Sequence, residues 1–122
     1  MPISNTTQSM INNIKIAVYN QGAISIAYHS ISSSNVYNKY NEASDHAVTI
    51  VGWNDNYDKS KFKDPISSQS PEANGAFIVK NSWGDDWGED GYFYLSYYDT
   101  SLYDSRDEFY TILLDNKDNY SN

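Results

Sequence analysis

Gly75-Ala-Phe-Ile-Val-Lys-Asn-Ser-Trp-Gly-Asp-Asp-Trp-Gly-Glu-Asp-Gly-Tyr-Phe-Tyr-Leu-Ser-Tyr-Tyr98 is the stretch whose reading decides the fold. It predicts two β-strands around a glycine-punctuated turn. Ala76 to Val79 is β-branched and aromatic, which suits a buried strand. Tyr92 to Tyr98 is aromatic, with Leu95 and Ser96 interleaved. Between them, Trp83-Gly84 and Trp87-Gly88 set two large rings beside residues that tolerate positive φ. A simple hairpin needs only Asn-Gly or Asp-Gly. Asn81 at the mouth of an apolar strand, next to Trp83, is more than turn-making requires. The plainer alternative stays open at this point: Asn81 and Ser82 satisfy turn backbone groups and the tryptophans are core.

Working outward, the 122 residues allow one domain with a core of its own. The hydrophobic share is low at 39%, yet aromatics reach 16%, including 12 Tyr whose rings can be buried while their hydroxyls stay wet. That composition predicts a folded chain despite its polarity. A net charge of −8 argues against nucleic acid or an anionic membrane surface as partner. No apolar run approaches the length of a membrane span, and no signal-peptide pattern is visible at the start. Cysteine is absent, so disulfides, cysteine-based metal sites and thiol catalysis from this chain are excluded.

Along the chain, Met1 to Asn5 reads as a frayed end, and Asn5-Thr-Thr-Gln8 resembles a capping box with Gln8 reaching back. Met10, Ile14, Ala17 and Val18 recur at helical spacing, which predicts an amphipathic helix from Thr6 to about Tyr19, closed by Gly22. Ala23 to His29 alternates as a strand, with His29 read as an exposed or capped histidine. Ser30 to Ser34 is a serine-rich loop, and Val36 to Tyr40 a short aromatic segment. His46 heads an abrupt β-branched run, Ala47 to Val51, expected to be a central strand. Asn54 to Asn74 is an irregular surface loop in which Asp55, Asp58 and Asp64 show no ligand spacing. Asp99 to Asp107 reads as a polar excursion, Glu108 to Leu114 as a last strand, and Asp115 to Asn122 as a frayed tail. No internal repeat is evident.

His46-Ala-Val-Thr-Ile-Val-Gly-Trp53 followed by Phe77-Ile-Val-Lys-Asn-Ser-Trp-Gly-Asp-Asp-Trp-Gly-Glu-Asp-Gly-Tyr92 closely resembles the second half of papain-like cysteine peptidases, and bacterial or archaeal members more than others. The resemblance covers most of the chain, since Ala23 to Ala27 is similar to the family's strand ahead of the histidine. It implies an α+β fold, a twisted antiparallel sheet or half-barrel with an N-terminal helix, as one domain over residues 1–122. The chain resembles the second lobe alone. The first lobe, which carries the cysteine nucleophile and an oxyanion-hole glutamine, has no counterpart here.

The resemblance also assigns roles. His46 is implied as general base and acid and as thiolate partner, with Asn81 accepting from its Nδ1–H. Trp83 is implied to roof that bond and Trp87 to buttress the turn. Ala27, Asp45 and Ala47 match substrate-binding positions around the main specificity pocket, where small residues at 27 and 47 favour a bulky apolar guest. An adjacent imidazolium stabilises a thiolate whose free thiol has a pKa of about 8.5.

Without a thiol the chain is expected to be inactive alone. It is then a fragment of a larger peptidase, one subunit of an enzyme with separate lobes, or a stand-alone pseudoenzyme. Expected partners are a peptide or protein substrate and either the missing lobe or a second copy through the exposed cleft face, with a secreted or cell-surface parent. No cofactor or metal is expected. The competing class is a non-catalytic interaction, carbohydrate-binding or calcium-binding module. Asp85, Asp86, Glu89 and Asp90 lie close together in sequence but lack the spacing of an EF-hand loop.

Overall fold

The computed structural model of the protein describes residues 5–40, 42–80 and 91–103. Helix α1 runs Asn5–Gln21, and Met10, Ile11, Ile14, Ala17 and Val18 form its buried stripe. Gly22 closes it at φ +83°, its N–H donating to the Val18 carbonyl at 2.7 Å, the left-handed cap that glycine adopts without steric cost. Gln8 Nε2 donates forward to Asn12 Oδ1 at 3.3 Å, a partner one turn on.

Among the described residues five strands follow: β1 Ile24–Tyr28, β2 Asn35–Val36, β3 His46–Asn54, β4 Ala76–Lys80 and β5 Tyr92–Ser96. They form one sheet in the order β1-β3-β4-β5-β2. All pairs are antiparallel except the two-residue edge strand β2, which runs parallel to β5. The β-branched run of β3 is an interior strand between β1 and β4. Its pairing with β4 shifts register between Ile50 and Gly52. One extra residue reverses which side chains face the core. Val48 and Ile50 face it before the bulge, and Trp53, opposite Phe77, packs against it afterwards.

The stripe of α1 covers the inner face of the sheet, where Ile26, Tyr28, Val79, Phe93 and Leu95 are buried. A smaller cluster of Tyr37, Phe62 and Ala76 lies under the 54–75 loop, with Tyr57 stacked on Tyr94 at 4.1 Å between centroids. That loop is not loose. It contains a 3₁₀ turn, Lys59–Lys61, capped by Asp58, and folds around Asp64, which is buried. Asp64 accepts from the Lys39 N–H at 2.9 Å, the Ile66 N–H at 3.0 Å and the Ser67 N–H at 2.8 Å. Burial pushes the Asp64 carboxyl up, but these bonds outweigh it and hold the group below the usual carboxylate range.

Asp99 is also buried, contrary to its reading as the start of a polar excursion. Oδ2 accepts from Asn38 N–H at 2.8 Å and Asn38 Nδ2 at 3.0 Å; Oδ1 accepts from Ser101 N–H at 2.9 Å, Leu102 N–H at 3.3 Å and the Ser101 hydroxyl. The donors fold residues 100–103 into a 3₁₀ turn with Ser101 and Leu102 inside. Burial still dominates and raises the carboxyl to about 6, against the hydrogen bonds of Ser101 and Asn38. The strand expected over Glu108 to Leu114, the turn from Asn81 to Asp90 and the tail lie outside the described residues.

Two outcomes are expected. At Gly75, φ is +125° and an added Cβ would sit 2.3 Å from the Tyr97 ring. Gly75→Ala is therefore expected to cost about 2–3 kcal/mol, read as a fall in the urea midpoint, because strain and overpacking add. A midpoint unchanged from wild type would contradict this. The second concerns Asp99, whose folded carboxyl is pushed up to about 6 from the 3.8 of a free aspartate. In that window the folded chain holds a proton the unfolded chain has released, so stability falls as pH rises from about 4 to about 6. Asp99→Asn is expected to remove that descending component, of order 2–3 kcal/mol, from the stability–pH curve. Parallel curves for the two proteins between about pH 4 and 7 would refute the assignment.

Candidate functional site

His46 is the first residue of β3 and pairs across the sheet with Tyr28, the last residue of β1. A β-branched run needs a partner on each side, and β1 and β4 supply both, so the strand head is held in a fixed register. The two rings meet edge to face, with centroids 5.9 Å apart and planes at 64°. Tyr28 packs in turn on Phe93 at 5.4 Å. His46 is half-buried. Burial, and then the charges of Asp45 and Asp99, push the Tyr28 phenol well above its usual range, so the ring beside His46 stays neutral.

Ala27 and Ala47 are direct register partners one residue further in. Strand alternation puts them on the face opposite His46 and Tyr28. Ala47 is exposed and Ala27 half-buried, so the two methyls floor a shallow, open surface. Asp45 is exposed just before β3. Its N–H donates to the Tyr28 carbonyl at 2.9 Å, and its Oδ1 accepts from Ser30 N–H at 3.0 Å. The structure thus gathers His46, Asp45, Ala47 and Ala27 at one end of β1 and β3. Asn81, Trp83 and Trp87 lie outside the described residues; β4 ends at Lys80, which pairs with Thr49.

His29 caps the neighbouring loop. Its Nδ1 is 3.0 Å from the Ala43 carbonyl oxygen and 3.6 Å from Asp45 Oδ2, and Nε2 is 3.9 Å from Glu42. Two residues missed in the sequence shape this end of the sheet. Tyr28 reads as ordinary strand core, and only the register shows it against His46. Asp99 reads as surface because nothing in its neighbours announces burial. Among the described residues no three His, Cys, Asp or Glu side chains come together to hold a metal ion. The acidic run at Asp85, Asp86, Glu89 and Asp90 lies outside them.

The arrangement sets a half-buried histidine at a strand head, with the open surface of Ala27 and Ala47 on the opposite face of the same two strands. The sequence profile of papain family cysteine proteases matches residues 2–110. The chain belongs to that family. It is 34% identical over 99 residues to Serine-repeat antigen protein 5 of Plasmodium falciparum, covering 74% of this chain and 9% of that protein. A cathepsin L-like protein of Caenorhabditis elegans is 38% identical over 88 residues, covering 65% of this chain and 22% of the relative. Among solved structures, the cysteine protease and lectin-like domains of Cwp84, a surface layer associated protein of Clostridium difficile, superpose with a TM-score of 0.64. That likeness has 34% identity and covers 75% of this chain and 21% of the other. The proenzyme of SERA5 from Plasmodium falciparum gives a TM-score of 0.53 at 26% identity, over 77% of this chain and 23% of that one. The chain therefore spans less than a quarter of each of these papain-family relatives.

Within this papain-family sheet, the Tyr28 hydroxyl is buried with no hydrogen-bond partner among the described residues. A desolvated hydroxyl without a partner costs free energy that a phenyl ring avoids. Tyr28→Phe is expected to leave stability unchanged or raise it by up to about 1 kcal/mol, whereas Tyr28→Ala is expected to cost about 3–5 kcal/mol. Thermal midpoints of the two variants check this; a large loss in Tyr28→Phe would mean the hydroxyl has a stabilising partner.

Proposed function

We propose that this chain is the second lobe of a papain-like cysteine peptidase, closest in character to bacterial or archaeal members, forming one domain over residues 1–122. In this reading it hydrolyses peptide bonds together with a first lobe that brings the cysteine and the glutamine. The observation that carries the reading is His46 at the head of an interior strand, in a papain-family chain that has no cysteine of its own. Supporting it, β4 leads directly into Asn81 from Lys80, which lies opposite Thr49, three residues along β3 from His46.

The chemistry follows from the assigned roles. The His46 imidazole accepts the thiol proton, and the thiolate of the first lobe attacks the peptide carbonyl carbon. When the C–N bond breaks, the imidazolium returns that proton to the leaving amine and a thioester remains. The imidazole then takes a proton from water, the hydroxide attacks the thioester, and the carboxylic acid and thiol are released. Asn81, accepting from Nδ1–H, fixes the tautomer without competing for charge; Trp83 shields that bond and Trp87 braces the turn. Ala27, Ala47 and Asp45 form the surface on which the substrate's bulky apolar side chain rests. The surface-layer association named for Cwp84 favours a secreted or cell-surface parent.

The test compares the chain alone with the chain joined to a cysteine-bearing first lobe, in cis or as a second chain. The chain alone is expected to show no turnover. In the two-lobe protein, His46→Ala is expected to lower kcat by on the order of 10²–10⁴-fold, with a smaller loss for Asn81→Ala. Turnover by the chain alone that a thiol-trapping reagent leaves untouched, or full activity in His46→Ala, would defeat the proposal. A homodimer through the His46 face, or binding of sugar or calcium without turnover, is the competing outcome.

A further inference from the structure

A single buried carboxylate holds the segment that flanks His46. His29 immediately follows β1, and both of its backbone groups are bound by side chains anchored on Asp99. The His29 N–H donates to Ser101 Oγ at 2.8 Å, and the Ser101 hydroxyl donates to Asp99 Oδ1. The His29 carbonyl accepts from Asn38 Nδ2 at 2.8 Å, and the same Nδ2 lies 3.0 Å from Asp99 Oδ2. One oxygen thus serves each side of the same peptide segment. The residues so fixed grip the approach to β3: Tyr28 C=O takes the Asp45 N–H at 2.9 Å, Ser30 N–H reaches Asp45 Oδ1 at 3.0 Å, and His29 Nδ1 lies 3.0 Å from the Ala43 carbonyl oxygen. Asp45 is covalently next to His46.

We propose that Asp99 is a positioning residue for His46: through Ser101 and Asn38 it sets the 28–30 segment, and through that segment the path of residues 43–45 into the strand head. The inference rests on the catalytic reading of His46 for its consequence, but its geometry belongs to this chain alone. Asp99 touches no reacting atom. Its two oxygens accept five hydrogen bonds, all from donors, so an amide in its place must turn an NH₂ towards one of the two arms. Bonds to a buried ionised acceptor are the strong kind, and a partner left unpaired there is costly. A network held at both ends orients what it contacts more tightly than isolated surface bonds do.

The chain has two histidines, so side-chain ¹H–¹⁵N spectra across about pH 5–8 resolve both imidazoles, with His29→Gln assigning them. Asp99→Asn and the milder Ser101→Ala are each expected to move the His46 ring resonances. The double variant is expected to add little to Asp99→Asn, because both act on one route. Phe77→Leu, a core change opposite Trp53, is expected to lower stability while leaving the His46 signals in place. His46 resonances unchanged in Ser101→Ala and in Asp99→Asn would overturn the proposal, and Ser101→Ala decides alone if Asp99→Asn does not fold. In the two-lobe protein, Asp99→Asn is expected to reduce kcat more than it raises KM. Because the spectra need no turnover, an inactive two-lobe protein would count against the catalytic reading and not against this coupling.

Discussion

The register between β1 and β3 is the constraint on which the molecule depends. Side chains alternate along a strand, so only one pairing puts Ile26, Tyr28, Val48 and Ile50 together under α1. Slipping by one residue would turn those rings and branched chains to solvent and bury Ser25, Ala27 and Thr49 in their place. Burying a large aliphatic or aromatic side chain is worth about 1.5–3 kcal/mol, so several such exchanges exceed the whole stability of a small domain. The same register places His46 opposite Tyr28 and puts Ala27 against Ala47 on the other face. Core and site are thus fixed by one pairing, and the bulge after Ile50 then lets Trp53 rejoin the core that alternation would have turned it away from.

Electrostatics pull in two directions around this frame. The chain carries 16 acidic against 8 basic residues, and its surface carboxylates repel one another. Several acids escape that repulsion by local bonding. Asp55 binds Lys15 Nζ at 2.8 Å and the Tyr97 hydroxyl, which hold it below the usual range, while Lys15 lies over the Tyr97 ring. The Tyr97 phenol is raised in turn, by burial first and then by Asp55. Such exposed pairs contribute little each. Asp99 differs because, among the described residues, its partners are the dipoles of Asn38, Ser101 and Leu102, and burial wins over them. The carboxylates held low favour folding as pH rises through the acid range, and Asp99 opposes them there.

Much of this was legible in the residues. The helix declared itself by Met10, Ile14, Ala17 and Val18, and its end by Gly22, because a period and a cap are local signals. The strands around His46 and Phe77 declared themselves by β-branching. The parallel pair of β2 did not, since Asn35 and Val36 are too few to show a period and their partner lies almost sixty positions away. Nor did the bulge, which depends on how two strands of unequal phase meet. Asp64 and Asp99 look solvent-facing in the sequence because charged letters in a loop usually are, and only the convergence of distant N–H groups shows otherwise. At the site, the letters named His46, Asp45, Ala27 and Ala47, while their division between two faces follows from strand pairing.

That division has a physical consequence. The tie from Asp99 to His29, the clasp between Tyr28 and Asp45, and the ring contact between Tyr28 and His46 all lie within this chain. None of them needs a second lobe to exist. A catalytic base that had to be ordered by its partner would draw the entropy of ordering from the association itself, at about 1–2 kcal/mol for each residue fixed. A strand head already seated in an interior register and braced from behind avoids most of that cost. In the proposed two-lobe reading, the chemistry would therefore demand more of the contact that delivers the sulfur than of the histidine that receives its proton.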